Sequence, residues 1–398
     1  MELLSPAGNL EKLKYVYAYG ADAAYIGIKN FSLRARSDNF TFDGYRKLIT
    51  LKGQKRLYGA LNIYFHNDDL KKLEENLGPI SRYPFDALII SDLGALEILK
   101  KAFPTASFHL STQANCLNYN AAAAYRDMGF SRIIAGRETS LKDIEKIKTK
   151  VSNLEIEVFA HGAMCLAYSG RCFLSAYMAD RGANSGDCSH SCRWRYRALL
   201  EEEKRPGEYF PLIEGDNFTT ILSSKDLCMI DHMRDLKNAG VDSVKIEGRM
   251  KSIYYAAIIT RAYRKTIDNL NGEDIENLKD YQEEIYKVSR REFSTGFFFG
   301  KEKISIPTEK SYLRRYMFIG IILDQTAEGF WRLEVKNQIR VNTEIEYIGP
   351  STLYIKDGSF ELFDENMRRI EKIDHGKVAY LKSDKEISEG YLIRQKID

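Results

Sequence analysis

Four cysteines lie close together in the middle of the chain, and their spacing is the strongest indication of chemistry in the sequence. Cys165, Cys172, Cys188 and Cys192 form a Cys-x6-Cys-x15-Cys-x3-Cys pattern, in a chain that has six cysteines in all. Four thiolates can ligate a tetrahedral zinc ion or an iron–sulfur cluster. Zinc sites commonly use two short Cys-x2–4-Cys pairs, whereas only the second pair is short here. The spacing favours an iron–sulfur cluster, with zinc or unligated thiols as alternatives and Cys228 as an alternative fourth ligand.

Charged residues beside the predicted strands are candidates for catalysis and for binding an anionic substrate. The catalytic candidates are Glu157, His161, Glu247 and Arg249. The candidate substrate-binding residues are all cations, namely Arg34, Arg36, Arg171, Arg181, Lys245 and Arg249. Arg249 is suited to a carboxylate substrate, because a guanidinium offers two parallel donors to a carboxylate.

Several of these residues also have a structural explanation. His161 is equally compatible with a hydrogen-bonding role in a loop, and Lys245 and Glu247 with a simple ion pair. Arg171 and Arg181 are suited either to an anionic substrate or to offsetting the charge of a thiolate-ligated cluster. A peptidase is an alternative function, although the sequence has neither a His-Glu-x-x-His helix nor a Gly-x-Ser-x-Gly elbow.

A regular alternation of strands and helices must position these side chains. A loose repeat, Gly20-Ala21-Asp22 and Gly240-Val241-Asp242 with a weaker echo at Pro84-Phe85-Asp86, indicates a helix, a turn and then a buried strand. Eight strands are predicted, at Glu2–Leu4, Ala23–Ile28, Leu57–Ile63, Ala87–Ile90, Ser107–Ser111, Arg132–Ala135, Glu155–Ala160 and Ser243–Ile246. Eight β/α units predict an α/β fold, a (β/α)8 TIM-like barrel. An open doubly wound sheet is disfavoured, since no Gly-x-Gly-x-x-Gly follows the first strand.

The chain is predicted to divide into two domains. The barrel spans residues 1–305 and carries a long cysteine-bearing insertion over 161–242, where a barrel builds its active site. Residues 306–398 alternate short β-rich runs with turns, which predicts a small C-terminal β-barrel domain.

Composition narrows the class of partner only slightly. Lys and Arg number 59 against 56 acidic residues, and a net charge of +3 does not by itself indicate a nucleic-acid-binding protein. A local RNA contact is predicted at Arg193-Trp194-Arg195-Tyr196-Arg197, which interleaves guanidiniums with aromatic rings. No apolar run approaches the ~20 residues of a membrane span, and no signal peptide is visible, so a cytoplasmic protein without a membrane partner is expected.

Longer motifs surround the cysteines and the eighth predicted strand. They include Glu157-Val158-Phe159-Ala160-His161-Gly162-Ala163-Met164-Cys165, Ser169-Gly170-Arg171-Cys172, Cys188-Ser189-His190-Ser191-Cys192 and Lys245-Ile246-Glu247-Gly248-Arg249. Together with Leu4-Ser5-Pro6-Ala7-Gly8, they resemble the signature of the collagenase-like peptidase family of unknown catalytic type. Within it, the chain looks most like the branch that forms 5-hydroxyuridine at the wobble position of tRNA.

This resemblance implies a particular reaction. It implies a [4Fe–4S] cluster on the four clustered cysteines, prephenate as a small-molecule substrate that supplies the hydroxyl group, and the anticodon loop of tRNA as the partner. A paralogous subunit is a further candidate partner. The alternatives are a collagenase-like peptidase and a cluster-bearing RNA-binding or scaffold subunit.

Overall fold

The computed structural model describes residues 1–33, 45–165, 167–194, 199–201, 206–207, 209–211, 225–300 and 313–397. These residues belong to two compact units. The first takes the described residues of Met1–Leu13, Asp22–Met250 and Arg291–Tyr312, and the second takes those of Lys14–Ala21, Lys251–Arg290 and Leu313–Asp398.

The first unit is a closed barrel of eight parallel strands. In chain order the strands of this unit are β1 (Glu2–Pro6), β2 (Ala23–Gly27), β3 (Arg56–Leu61), β4 (Ala87–Ile90), β5 (Ser107–Leu110), β6 (Arg132–Ile134), β7 (Glu155–Ala163), β8 (Leu199–Glu201), β9 (Tyr209–Pro211), β10 (Asp226–Cys228), β11 (Ser243–Ile246) and β12 (Phe293–Ser294). Strands β1 to β7 pair in order, and β11 closes the barrel by pairing in parallel with both β1 and β7.

Helices alternate with these strands, and the alternation confirms the predicted TIM-like barrel. They are α1 (Leu10–Ala18), α2 (Tyr45–Lys52), α3 (Asn67–Glu75), α4 (Leu77–Ser81), α5 (Leu93–Ala102), α6 (Tyr119–Asp127), α7 (Leu141–Lys150), α8 (Leu174–Ala179) and α9 (Met233–Asn238). Side-chain caps start several of them. Asp92, Asn118 and Ser140 each accept a hydrogen bond from a backbone N–H three residues later, which satisfies a donor that the first turn leaves unpaired.

The repeated aspartates hold the barrel together at the start of its strands. Asp22 accepts a hydrogen bond from the backbone N–H of Leu3 at 2.8 Å. Asp242 does the same for Ile156 at 2.7 Å, and Asp86 for Leu57 at 2.7 Å. Each carboxylate precedes one strand and binds a neighbouring strand, so the repeat seen in the sequence is a device for joining adjacent strands.

The seventh strand is longer than its sequence pattern predicts. The pattern ends at Ala160, but β7 continues to Ala163 because its last residues gain a new partner. There β7 pairs antiparallel with β10, and Cys228 lies opposite His161. The first residues of the predicted 161–242 insertion are therefore strand and not loop.

The second unit contains two helices and an antiparallel sheet. The helices are α10 (Ile253–Leu270) and α11 (Leu278–Glu283), and the strands are β13 (Tyr316–Gln325), β14 (Trp331–Val335), β15 (Ile339–Arg340), β16 (Ile345–Ile348), β17 (Ile355–Asp357), β18 (Glu361–Phe363), β19 (Arg369–Ile370), β20 (Lys372–Ile373), β21 (Val378–Lys382) and β22 (Leu392–Lys396). Eight of these strands form one curled sheet, in the order β17-β16-β22-β13-β14-β21-β18-β19. The predicted C-terminal β domain is confirmed in this form.

One buried arginine organises the second unit. Arg394 is fully buried and contacts both oxygens of Glu284, at 2.5 and 3.0 Å. Its other contacts are Glu346 at 2.6 Å and the Tyr254 hydroxyl at 3.1 Å. Its three guanidinium nitrogens are all engaged, as burial of a charge requires. No helix of the described residues is long and apolar enough to cross a membrane.

Candidate active site

A cavity of about 310 Å³ lies at the C-terminal ends of the barrel strands, where barrels of this class build their active sites. Its floor and walls include Tyr25 of β2, Ala60 of β3, Ile89 of β4, Phe159 of β7 and Lys245 of β11. Every one of these residues stands on a different strand. The closed barrel is therefore what brings the walls together.

All four clustered cysteines line this cavity. Burial raises the pKa of the Cys192 thiol; Arg193 opposes that effect, and the neighbouring thiolates of Cys165, Cys188 and Cys172 add to it. The four sulfurs therefore stand close enough to influence one another electrostatically. Cys228 lies on β10, outside the cavity lining.

The donor chemistry of this thiol group fits a metal cluster. Thiolates that repel one another in a partly buried site are stabilised by a bound cation, which deprotonates its cysteine ligands. The thiols surround a cavity, and no three His, Cys, Asp or Glu side chains among the described residues are arranged to hold a metal ion. A zinc ion needs its sulfurs at about 2.3 Å from one point. The donor chemistry of four thiols fits either a zinc ion or an iron–sulfur cluster.

The barrel holds the cysteine segment in place by specific contacts. Tyr64 donates from its hydroxyl to the carbonyl of Gly170 at 2.6 Å, and Glu138 accepts from the backbone N–H of Ser169 at 2.6 Å. Gly170 has a positive φ, and a Cβ at this position would collide with the carbonyl oxygen of Gln113. Glycine is therefore required between the first two cysteines.

Lys245 lies on the cavity floor and is almost fully buried. Its ammonium group stands 3.0 Å from Glu157 and 4.3 Å from the centre of the Tyr25 ring. Burial lowers the pKa of Lys245, and the Glu157 carboxylate opposes that effect. Lys245 is thus paired with Glu157, and not with Glu247 as the ion-pair explanation predicted.

A chain of charged side chains continues beneath Lys245 through the barrel interior. Glu157 is fully buried, and its second oxygen accepts a hydrogen bond from Arg132 at 3.0 Å. Arg132 also contacts Glu2 at 2.6 Å and Glu155 at 2.8 Å. Glu157 does not line the cavity, so the structure places this catalytic candidate one layer below, as the partner of Lys245.

Glu247 and Arg249 both line the cavity. Arg249 is 4% exposed, and it donates to the hydroxyl of Ser32 at 2.8 Å and to the carbonyl of Leu33. Its guanidinium is therefore held by the loop after β2. Arg34 and Arg36, the other cations predicted to bind substrate near here in the sequence, lie outside the described residues.

Sequence reasoning missed Arg137 of the cavity wall, and it assigned Arg193, a second arginine of that wall, to an RNA contact instead. The Arg137 guanidinium stacks 4.0 Å from the centre of the Phe159 ring, and its nearest carboxylate, Glu247, is 3.9 Å away. The buried Nε atoms of both arginines lack a hydrogen-bond partner among the described residues. Arg137 follows strand β6, and that position at the end of a barrel strand is the signal that identifies it.

Three other predicted residues lie away from the cavity lining. His161 is buried on β7, with its ring edge against Phe293 at 5.3 Å. Arg181 donates to Asp187 at 2.6 and 3.0 Å and to the Cys188 carbonyl, so its guanidinium braces the cysteine segment. Arg171 is exposed to solvent.

A TIM-like barrel with a thiol-lined, cation-rich cavity at its mouth is the class that this fold and site define. The model of peptidase family U32 matches residues 8–306, and the model of the peptidase family U32 C-terminal domain matches residues 314–394. The chain belongs to peptidase family U32.

Relatives within this family carry different names. The chain is 34% identical to tRNA hydroxylation protein P1 of Bacillus subtilis, over 99% of this chain and 94% of that protein. It is 35% identical to tRNA hydroxylation protein P of Escherichia coli, over 88% of this chain and 86% of that protein. It is also 28% identical to a collagenase of Porphyromonas gingivalis, over 94% of this chain and 93% of that protein.

Proposed function

We propose that this chain is an RNA-modifying enzyme that hydroxylates the wobble uridine of tRNA at carbon 5. In this proposal prephenate is the donor of the hydroxyl group, and Cys165, Cys172, Cys188 and Cys192 hold a [4Fe–4S] cluster. The observation that carries the proposal is a single cavity that contains four thiols and a strong excess of cationic side chains.

The charge of the cavity supports a dicarboxylate substrate such as prephenate. Among the described residues that line it, four are cations, Arg137, Arg193, Lys245 and Arg249, and Glu247 carries the one carboxylate. Buried guanidiniums bind carboxylates by charge-assisted hydrogen bonds, which are stronger in an enclosed site than in water. Lys245 and Arg249 would orient the donor, while Phe159 and Tyr25 would exclude water around it.

The thiols support the cluster. When bound, such a cluster supplies one-electron transfer, or an iron atom to which substrate can bind if one position is open. Glycines close to the sulfurs, such as Gly170, leave room for backbone N–H groups that tune a cluster.

Similarity over most of the chain to two tRNA hydroxylation proteins supports RNA as the second substrate. The peptidase alternative finds less support in the site. A cysteine peptidase needs a thiol and a base within hydrogen-bond reach. His161, the candidate base, is on β7 and does not line the cavity that holds the four thiols. Its ring packs against Phe293 of β12.

The decisive experiment compares two cysteines of the same chain. Protein purified without oxygen is assayed for iron and acid-labile sulfide, as wild type, Cys172→Ser and the control Cys228→Ser. We expect about four irons and four sulfides in the wild type and in Cys228→Ser, and a large loss in Cys172→Ser. Zinc without sulfide, or equal loss in both variants, would overturn the assigned cluster.

The reaction is tested on the same proteins with unmodified tRNA. We expect nucleoside mass spectrometry to detect 5-hydroxyuridine only when prephenate is added, and Cys172→Ser to form none. Degradation of gelatin or casein by cluster-free protein, without any tRNA product, would establish the peptidase function instead.

A further inference from the structure

The cysteine segment presents a second feature beside the cavity, a pair of exposed aromatic rings. Among the large apolar side chains of the described residues, Tyr177 and Phe173 are the most exposed, at 86% and 78%. Phe173 is the N-cap residue of α8, and its carbonyl accepts a hydrogen bond from the backbone N–H of Tyr177 at 2.9 Å, so the two residues lie one helical turn apart. Side chains four residues apart project from the same face of a helix.

Helix α8 is anchored by its other face. Ser175 is 2% exposed, and its hydroxyl accepts a hydrogen bond from the backbone N–H of Ser189 at 2.9 Å. The Ser189 hydroxyl is in turn 3.1 Å from that of Ser191. The exposed rings therefore project from a helix tied to the segment that carries Cys188 and Cys192, and a ligand would meet a largely preformed surface.

The exposed rings adjoin the cavity mouth. Tyr168 is 57% exposed and also lines the cavity, and Leu174, the residue after Phe173, lines it as well. A polymer that places one of its units in the cavity would therefore pass its neighbouring units over Tyr168, Phe173 and Tyr177.

An exposed guanidinium lies beside these rings. Arg171 is exposed two residues before Phe173. Of the two carboxylates between Cys165 and Cys192, Asp187 is already bound by Arg181, which leaves Asp180. Aromatic rings beside a guanidinium are the combination that binds unpaired nucleotides, by stacking on the bases and contacting the phosphates.

We propose that Tyr168, Phe173 and Tyr177 form a stacking platform for the unpaired RNA bases next to the target nucleotide, with Arg171 on the phosphate backbone. This inference rests on the proposed RNA-hydroxylating function and names the surface that holds the loop. The chemistry recognised is an unpaired base of any sequence, because every base has a flat π face.

The test asks whether RNA binding needs aromatic rings or only apolar side chains at these positions. In the first double variant, Phe173→Leu with Tyr177→Leu, the side chains remain apolar but lose their rings. In the matched control, Phe173→Tyr with Tyr177→Phe, both rings are kept. Binding of a short RNA stem–loop with uridine in its loop is measured by fluorescence anisotropy at one fixed salt concentration, because such affinities depend on salt.

We expect the leucine variant to bind the stem–loop about tenfold more weakly or worse, and the ring-keeping variant to remain within about twofold of wild type. Arg171→Gln should make the slope of log affinity against log salt concentration shallower, by about the amount expected for one lost phosphate contact. The two doubles should retain their iron content.

Two different results would overturn the platform. In the first, the leucine double variant binds the stem–loop as tightly as the wild type does. In the second, both double variants bind the RNA equally weakly and the molecular mass of the protein in solution changes. That result would make the surface a contact with another protein subunit. A wild-type protein that binds no RNA would instead overturn the proposed function itself, so the two failures are distinguishable.

Discussion

The buried arginine of the second unit and the buried cations of the barrel cavity differ in how fully their donors are used. Arg394 engages Glu284, Glu346 and Tyr254 through its three guanidinium nitrogens. Arg137 lies in the cavity wall, with a buried Nε that lacks a partner among the described residues and a carboxylate no nearer than 3.9 Å. The first arrangement is saturated, and the second has donors to spare.

Arg394 therefore has no guanidinium nitrogen left for a ligand, whereas Arg137 has one. A buried donor without a partner destabilises a fold by about 1–3 kcal/mol. Such an arrangement is retained where a ligand supplies the missing acceptor, as sites that trade stability for function do. Under the proposed function, Arg394 stabilises the second unit, whereas Arg137 and Lys245 bind the substrate.

The largest expected effect is on stability. Arg394→Met removes the cation that Glu346 and Glu284 share, and it leaves Glu284 with Lys287 and Arg261 alone, so we expect the free energy of unfolding to fall by about 3–5 kcal/mol. Urea unfolding measures this. The control is Arg332→Met, whose partner Asp324 is exposed to solvent, and it should change stability by less than about 1 kcal/mol. Equal losses of stability in Arg394→Met and Arg332→Met would show that the buried ion cluster around Arg394 contributes no more than an exposed ion pair.

The next effect is on activity. Lys245→Met removes a cation from the cavity floor, while Glu157 keeps its contact with Arg132. We expect kcat/KM for prephenate to fall about 100-fold or more, with a smaller loss of stability than in Arg394→Met. Lys148→Met is the control, since Lys148 pairs with Asp242 and lies outside the cavity lining. Unchanged kinetics in Lys245→Met would exclude Lys245 from the donor site.

Arg137→Met should change binding and leave the fold intact. Loss of a charge-assisted hydrogen bond predicts a KM for prephenate about 10- to 100-fold higher. Stability should stay within about 1 kcal/mol or rise, because the unpaired donor disappears. The same change at Arg126, which pairs with exposed Asp127, should leave KM as it is. A clear loss of stability in Arg137→Met would show that Arg137 is structural.

The smallest effect concerns pH. Burial lowers the pKa of Lys245, so its charge is lost as pH rises through a value below that of an ordinary lysine. Affinity for the anionic donor should therefore fall as pH rises through this lowered pKa. Glu157→Gln removes the carboxylate that opposes this shift, so the fall should move to lower pH. A pH profile of kcat/KM measures it, and a fall that moves to higher pH would contradict the assigned pairing.

Local patterns in the sequence were sufficient for much of this architecture. Alternating strands and helices predicted the barrel, because periodicity and glycine caps act over a few residues. The four cysteines were identifiable as one group, since thiols this close in sequence share a segment. Arg249 was identifiable because it follows a barrel strand.

Other features arise from contacts between distant parts of the chain. Local spacing predicted Glu247 as the partner of Lys245, whereas barrel closure brings Glu157 to it from 88 positions away. Arg137 follows a barrel strand as Arg249 does, and Arg193 begins the predicted RNA contact, but only the tertiary structure places both arginines in one cavity wall. The sequence by itself determined which elements form and which residues carry chemistry. The tertiary structure decided which charges are paired, because burial and ring closure set the distances on which pairing depends.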